Sequence, residues 1–191
     1  MSIVLFLGKS VKEYKETYFE RIKAMFDSGQ IMCEISLTPM KWHLTYSRKI
    51  KEMGERIWIV FAQCTVCRKH HGHALQPDFL LPHKHYSAKE IESVIIDSAE
   101  CPAKEIVTMA SESTVRRWIE QIGSRIIRAV SILKATFIEM GRAFSEVVLD
   151  AGHCYSELEQ MLEMAPSAQR HSNKLGLANL WLSRHNRKSY I

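Results

Sequence analysis

The sequence predicts an α+β chain that is mainly α, with a small β-hairpin unit followed by a series of helices. Three observations predict it. Residues 40–63 alternate apolar and polar positions about a charged link. Residues 87–144 carry apolar side chains at helical spacing, and a proline-punctuated connector, 76–86, separates the two stretches. At 191 residues, 46% hydrophobic and 25% charged, the chain can bury one core or two small units that share a helix.

The first segment, 1–32, reads as an apolar strand, Ile3–Leu7, closed by Gly8, and then a helix over 11–27. Tyr14, Tyr18, Ile22, Met25 and Phe26 recur there mostly at three- and four-residue steps, and Ser28-Gly29 ends the run. The second segment, 33–86, holds the hairpin. Trp42, Leu44 and Tyr46 alternate with His43, Thr45 and Ser47, Lys51–Gly54 makes the link, and Ile57–Phe61 supplies a β-branched and aromatic return. The return strand runs into Cys64-Thr-Val-Cys67, and Cys33-Glu-Ile-Ser36 precedes the outgoing strand. Two knuckles at these positions define a zinc ribbon, although a serine stands where the fourth thiolate belongs. Cys33, Cys64 and Cys67, with His43 or His70 as a fourth ligand, form the expected Zn2+ site; His71, His73 or a water are further candidates. A degenerate ribbon without metal and a redox pair at Cys64 and Cys67 are the competing readings. In the connector, Pro77 and Pro82 disfavour helix, and His83 and His85 are expected to face solvent.

Ser87-Ala-Lys-Glu90 has the pattern of a capping box, opening a helix with Ile91, Val94, Ile95 and also Ile96 inward. Pro102 is placed to start a short second helix, 102–109, with Cys101, Ile106 and Met109 inward. Ser111 or Ser113 then caps a third. The segment 87–128 therefore reads as a helix-turn-helix. Val115, Trp118, Ile119 and Ile122 face the core, while Glu112, Ser113, Thr114, Arg116, Arg117 and Gln121 are set to meet phosphates and bases. Residues 87–134 hold seven basic and seven acidic side chains, which does not favour strong nonspecific binding through this segment alone.

The third helix continues. From Val115 through Ile119, Ile122, Ile126, Val130, Leu133, Phe137 and Met140 to Phe144, apolar residues are spaced by 4, 3, 4, 4, 3, 4, 3 and 4. The segment 129–165 is read as a helical hairpin or as a dimerisation region, with a homodimer formed through the 115–144 helix. A further helical stretch carries Val147, Val148, Leu158, Met161 and Leu162, with a break at Gly152. The last segment, 166–191, is a basic tail interrupted by an apolar docking segment, 175–182. No acidic residue follows Glu163, and Arg170, Lys174, Arg184, Arg187 and Lys188 match the whole net charge of +5. Arg184, Arg187 and Lys188 are candidate phosphate contacts.

The order of parts resembles the N-terminal region of bacterial insertion-sequence transposases. It is more closely similar to a family of small bacterial proteins that carry this region without a nuclease domain. The resemblance rests on Ile3–Gly8, Cys64-x-x-Cys67, Pro77-Asp-Phe-Leu-x-Pro82, Tyr86-Ser87, Ser111-x-Ser-Thr-x-Arg-Arg-Trp118 and Lys174–Leu182. It implies DNA binding in a mobile-element setting, with zinc held by two knuckles. This chain departs from that pattern at Ser36.

The expectation is a DNA-binding regulator or accessory factor; the alternative is a protein-interaction adaptor without nucleic-acid binding. Neither the acidic triad of a nuclease, nor the His-x-Glu and Pro-Cys-x-x-Cys pattern of zinc deaminases, nor an oriented nucleophile–base pair is evident. Enzymatic activity and a small-molecule substrate are therefore not expected. Without a secretory signal or an apolar run long enough to span a bilayer, the chain is expected to be cytoplasmic, not membrane-bound.

Overall fold

A computed structural model describes residues 2–8, 10–33, 35–67, 72–139, 154–163 and 173–185. Four strands, β1 (Ser2–Leu5), β2 (Lys41–Ile50), β3 (Glu55–Gln63) and β4 (Gly72–Pro77), form one mixed sheet in the order β1-β4-β3-β2. The β2–β3 and β3–β4 pairs are antiparallel, and β1 runs parallel to β4. The expected hairpin is therefore part of a larger sheet, in which the N-terminal apolar strand supplies an edge.

Helix α1 (Val11–Asp27) covers part of this sheet. Ser10 caps it, accepting from the Glu13 amide at 3.2 Å. Tyr14, fully buried, donates its hydroxyl to the Trp58 carbonyl and meets Phe79 edge-on at 5.5 Å. Ile22, Ile57, Ile59, Val60 and Leu75 complete a first core, which also takes in Cys33 and Cys64. At Gly72 a Cβ would overlap the Phe61 ring, so the missing side chain is what lets that ring lie over β4.

The second core is helical: α2 (Ala88–Asp97), α3 (Glu112–Glu139), α4 (Cys154–Glu163) and α5 (Lys174–His185). Val115, Ile122, Ile126, Val130 and Leu133 of the near-heptad stripe are buried against these neighbours. Residues 115–133 of the stripe are thus packed within the chain. The Phe137 side chain, Met140, Phe144, Val147, Val148 and Gly152 lie outside the described residues.

Three expectations are corrected. Residues 102–109 form a turn, with the Glu105 amide on the Pro102 carbonyl at 2.8 Å, and no helix. The bracing helix of the expected helix-turn-helix is absent there, and a 14-residue connection, 98–111, joins α2 to α3. The cause is tertiary. Ser87 caps α2 as expected (Glu90 amide to Ser87 Oγ, 3.1 Å), but the Glu90 carboxylate takes the Thr108 hydroxyl at 2.5 Å and the Met109 amide at 3.3 Å. The Ser87 amide goes instead to Glu52 Oε1 at 2.6 Å. A segment of eight residues, too short to be stable as an isolated helix, gives way to such contacts. Met109, Cys101 and Ile96 are exposed instead of inward. The expected docking segment, by contrast, does dock: it forms α5, whose Leu175, Leu177, Ala178, Leu180, Trp181 and Leu182 are all buried.

Two contacts seat α5 on the rest. A Cβ at Gly176 would overlap the Asp78 carbonyl, so this turn of the helix packs backbone to backbone on the β4–α2 connection. The buried Glu92 carboxylate of α2 accepts from the Tyr155 hydroxyl and from the Lys174 amide at 2.9 and 3.1 Å, tying α4 and the start of α5 to one anion. No helix among the described residues is long and apolar enough to cross a membrane.

Candidate metal centre and cationic surface

The register of β2 and β3 pairs Lys41 with Gln63, which places the chain just before β2 beside the chain just after β3. The first of these segments is a tight loop. The Cys33 amide bonds the Thr38 carbonyl and the Leu37 amide bonds the Cys33 carbonyl, each at 2.9 Å, and Met32 bridges Pro39 below them. Leu37 sits at φ 53°, a left-handed conformation in which a side chain is disfavoured. The second segment folds back on Cys64, whose Sγ accepts from the amides of Val66 and Cys67, both at 3.4 Å.

The two loops bring Cys33, Cys64 and Cys67 together, their sulfur atoms all within 4.8 Å of one another, and the three could hold a metal ion. Cys33 and Cys64 are buried and Cys67 is half-buried. Cys33 Sγ lies 3.6 Å from Cys67 Sγ. Ser36 lies beside them, its Oγ 3.3 Å from Cys64 Sγ and 2.8 Å from Thr38 Oγ1. The hydroxyl of Ser36 and the amide of Cys67, with that of Val66, lower the Cys64 thiol to about 6 against the opposing effect of burial. At Cys33 burial acts upward but is outweighed by the side-chain and backbone bonds of Ser36 and Ile35, so that thiol is lowered too. Burial and the neighbouring Cys33 raise Cys67. Donors converging on sulfur favour thiolate, the form that ligates metal.

The expected fourth ligand is not found among the described histidines. His43 marks a register shift between Trp42 and Leu44, is exposed, and lies against Phe61 with ring centroids 6.4 Å apart. His70 and His71 lie outside the described residues. His73 sits in β4 opposite Ala62, and it does not join the thiol cluster.

The outer face of α3 carries a different chemistry. Arg116, expected to reach out, is held by Glu112 four residues back, with Nε and Nη2 at 3.0 and 2.7 Å from the same oxygen. Glu112 is thereby engaged as well. Ser111 stands at the helix start and bonds the hydroxyls of Ser113 at 3.2 Å and Thr114 at 2.9 Å. Arg117, by contrast, is exposed without a carboxylate partner among the described residues. It heads a row with Gln121, Ser124, Arg125 and Arg128 at steps of 4, 3, 1 and 3, and the row holds no acidic side chain. Lys84, from the connector, reaches this row, its Nζ 3.5 Å from Gln121 Oε1. Burial, then Arg125 and Arg117, depress the Lys84 ammonium below its ordinary range. Lys84 was not foreseen, because helical spacing says nothing about which loop packs beside a helix; Arg125 and Arg128, at helical spacing from Gln121, could have been found by extending that face. The Arg184 side chain, Arg187 and Lys188 lie outside the described residues.

The molecule is thus an α+β protein in which a mixed sheet carries a two-loop thiol cluster and a long helix carries a cationic row. Residues 32–118 match the model of a family described as a domain of unknown function (DUF6431). The matched stretch runs from the residue before Cys33 to Trp118 and so contains every residue of the cluster and the start of α3. The chain matches no curated protein and no solved structure.

Proposed function

We propose that the protein binds DNA through the outer face of α3, and that Cys33, Cys64 and Cys67 hold a structural Zn2+ ion that stabilises the paired loops. The observation that carries the DNA reading is the row Arg117, Gln121, Arg125, Arg128, joined by Lys84 and free of acidic side chains. Several cations on one rigid helix suit the regular spacing of phosphates, and an amide such as Gln121 can read a base edge. Three thiols and a serine hydroxyl converging on one point fit a small thiophilic cation, with Ser36 or a water completing four-coordination. Zinc would contribute folding free energy at the loops and no chemistry of its own. In line with the resemblance to transposase N-terminal regions, the reading is of a regulator or accessory factor without a nuclease domain.

The test is the mobility of DNA fragments with the purified chain over a salt series, with zinc measured on the same sample. The Arg117→Ala, Arg125→Ala double variant should bind less tightly, with the logarithmic salt slope reduced by about 2. An unchanged slope would remove α3 from the interface.

A second reading, a protein-interaction adaptor, is favoured by the loop tips. Ile35, Leu37 and Val66 are 59%, 67% and 62% exposed, one apolar group at each turn of the thiol cluster. That reading predicts no salt-dependent DNA binding and a stable complex lost on Leu37→Ser.

A further inference from the structure

The β2–β3 register is unbroken from Leu44 to Ile50, with Leu44 opposite Phe61, Arg48 opposite Ile57 and Lys49 opposite Arg56. Side chains alternate between the two faces of a sheet. Leu44, Tyr46, Arg48 and Phe61 therefore leave from one face, and Lys49 and Arg56 from the other. The connector crosses the first face, where the Arg48 guanidinium donates to the Leu81 carbonyl at 3.1 Å and the Gln76 amide to the Leu80 carbonyl at 2.9 Å. A cleft of about 710 Å³ remains there, bounded by Tyr46, Arg48, Phe61 and Ala74 on the sheet and by His83 and His85 of the connector, and no acidic residue lines it. The turn that bears the two histidines is pinned. The Lys84 amide bonds the Leu81 carbonyl at 3.2 Å, and the Lys51 amide bonds the His85 carbonyl at 2.8 Å.

Arg48 is the unfavourable element of this wall. It is only 9% exposed, and no carboxylate among the described residues pairs with it. Burial depresses its guanidinium below the ordinary range. A buried cation without a counter-charge is destabilising, and a bound anion would offset that. The Leu81 carbonyl takes one of five guanidinium N–H groups, which leaves donors for a planar, two-oxygen anion. Arg48 is the one arginine or lysine on this face of the described cleft wall, since Lys49 and Arg56 point away through the other face. A single positive charge matches a carboxylate and leaves a phosphate dianion half compensated. Leu44 and Tyr46 are exposed on the same face and Phe61 is half-buried, so an apolar floor continues outward from Arg48. One fixed charge beside an apolar floor, in a cleft of this size, is how proteins hold small molecules. We infer that the cleft binds a small organic carboxylate, its carboxylate on Arg48 and its apolar body over Tyr46 and Phe61. The inference goes beyond the nucleic-acid reading of α3 and does not rest on it.

The experiment titrates the 15N-labelled full chain with three probes. Phenylpropionate has both charge and body, phenylpropanol has the body without the charge, and acetate has the charge without the body. Phenylpropionate should shift amides in 46–48 and 83–85 with half-saturation at about 1 mM or below, and the other two should bind at least about tenfold more weakly. Arg48→Met should weaken binding about tenfold or more, as loss of a charge-assisted pair does. The exposed change Tyr46→Ser leaves the Arg48–Leu81 bond in place and should cost at least about threefold, the worth of one aromatic contact. The Lys49→Ala, Arg56→Ala double variant, on the opposite face, should bind within about twofold of the wild type. Should Arg48→Met fail to fold, Tyr46→Ser and the opposite-face variant decide. Equal binding of phenylpropanol, full affinity in Arg48→Met or Tyr46→Ser, a tenfold loss in the opposite-face variant, or no shift at 46–48 and 83–85 would overturn the inference. Duplex binding is followed on the same sample. Phenylpropionate bound without duplex binding would sink the α3 reading alone; duplex bound with a silent cleft would sink this one.

Discussion

Ser36 Oγ lies 3.3 Å from Cys64 Sγ, and the same hydroxyl bears on Cys33 and Cys67. The serine thus lies against the thiol cluster, close to the left-handed residue Leu37.

Substituting Ser36→Cys should complete four thiolates without moving the backbone. Zinc affinity, measured by competition with a chromophoric chelator, should rise about tenfold or more, and Cys67→Ser should abolish stoichiometric binding. Equal affinity in the wild type and in Ser36→Cys would show that the serine is not at a ligand position.

Arg116 and Arg117 are neighbours in sequence with opposite circumstances. Arg116 is paired to Glu112, whereas Arg117 joins the row of Lys84 and Arg125. Arg117→Ala should weaken DNA binding about tenfold, as expected for one specific contact, and Arg116→Ala should change it by a few-fold at most. The reverse order, in a fluorescence anisotropy titration at fixed salt, would place the interface on the other flank of α3.

Glu92 makes stability depend on pH in a defined direction. Burial raises its carboxyl above the usual range, against the lowering bonds from Tyr155 and the Lys174 amide. Between the ordinary and the raised value the folded chain therefore binds more of this proton than the unfolded chain does. Its contribution is most favourable below the ordinary carboxylate value of about 4.3 and falls as pH rises through the raised folded value. Thermal unfolding of Glu92→Gln across this window should lose that part of the slope while keeping an acceptor for Tyr155. Parallel pH profiles for the two proteins would exclude Glu92 as the source.

Gly176→Ala tests the seating of α5. The added methyl meets the Asp78 carbonyl, which is main chain and cannot turn aside. A loss of about 2–3 kcal/mol is expected in denaturant unfolding, although alanine is the better helix former. A stabilised Gly176→Ala variant would mean that α5 sits elsewhere.

The sequence by itself determined the elements whose signals are local. The strand through Trp42, Leu44 and Tyr46, the cap at Ser87, the period of the stripe from Val115 to Leu133 and the apolar run Leu175–Leu182 each appear as expected, although Leu44 and Tyr46 are exposed and burial matches the pattern only in the helices. It also singled out Cys33, Cys64 and Cys67, since knuckles flanking one hairpin must meet once the strands pair. Only the tertiary structure decided the rest. Whether 102–109 is helix turned on where the Glu90 carboxylate finds its partners, and what the stripe packs against within the chain turned on the docking of α2, α4 and α5. Lys84 joins the cationic row of α3 only because the connector that carries it packs beside a helix far away in sequence. Contacts of that range carry no periodicity along the chain, so no spacing of residues records them.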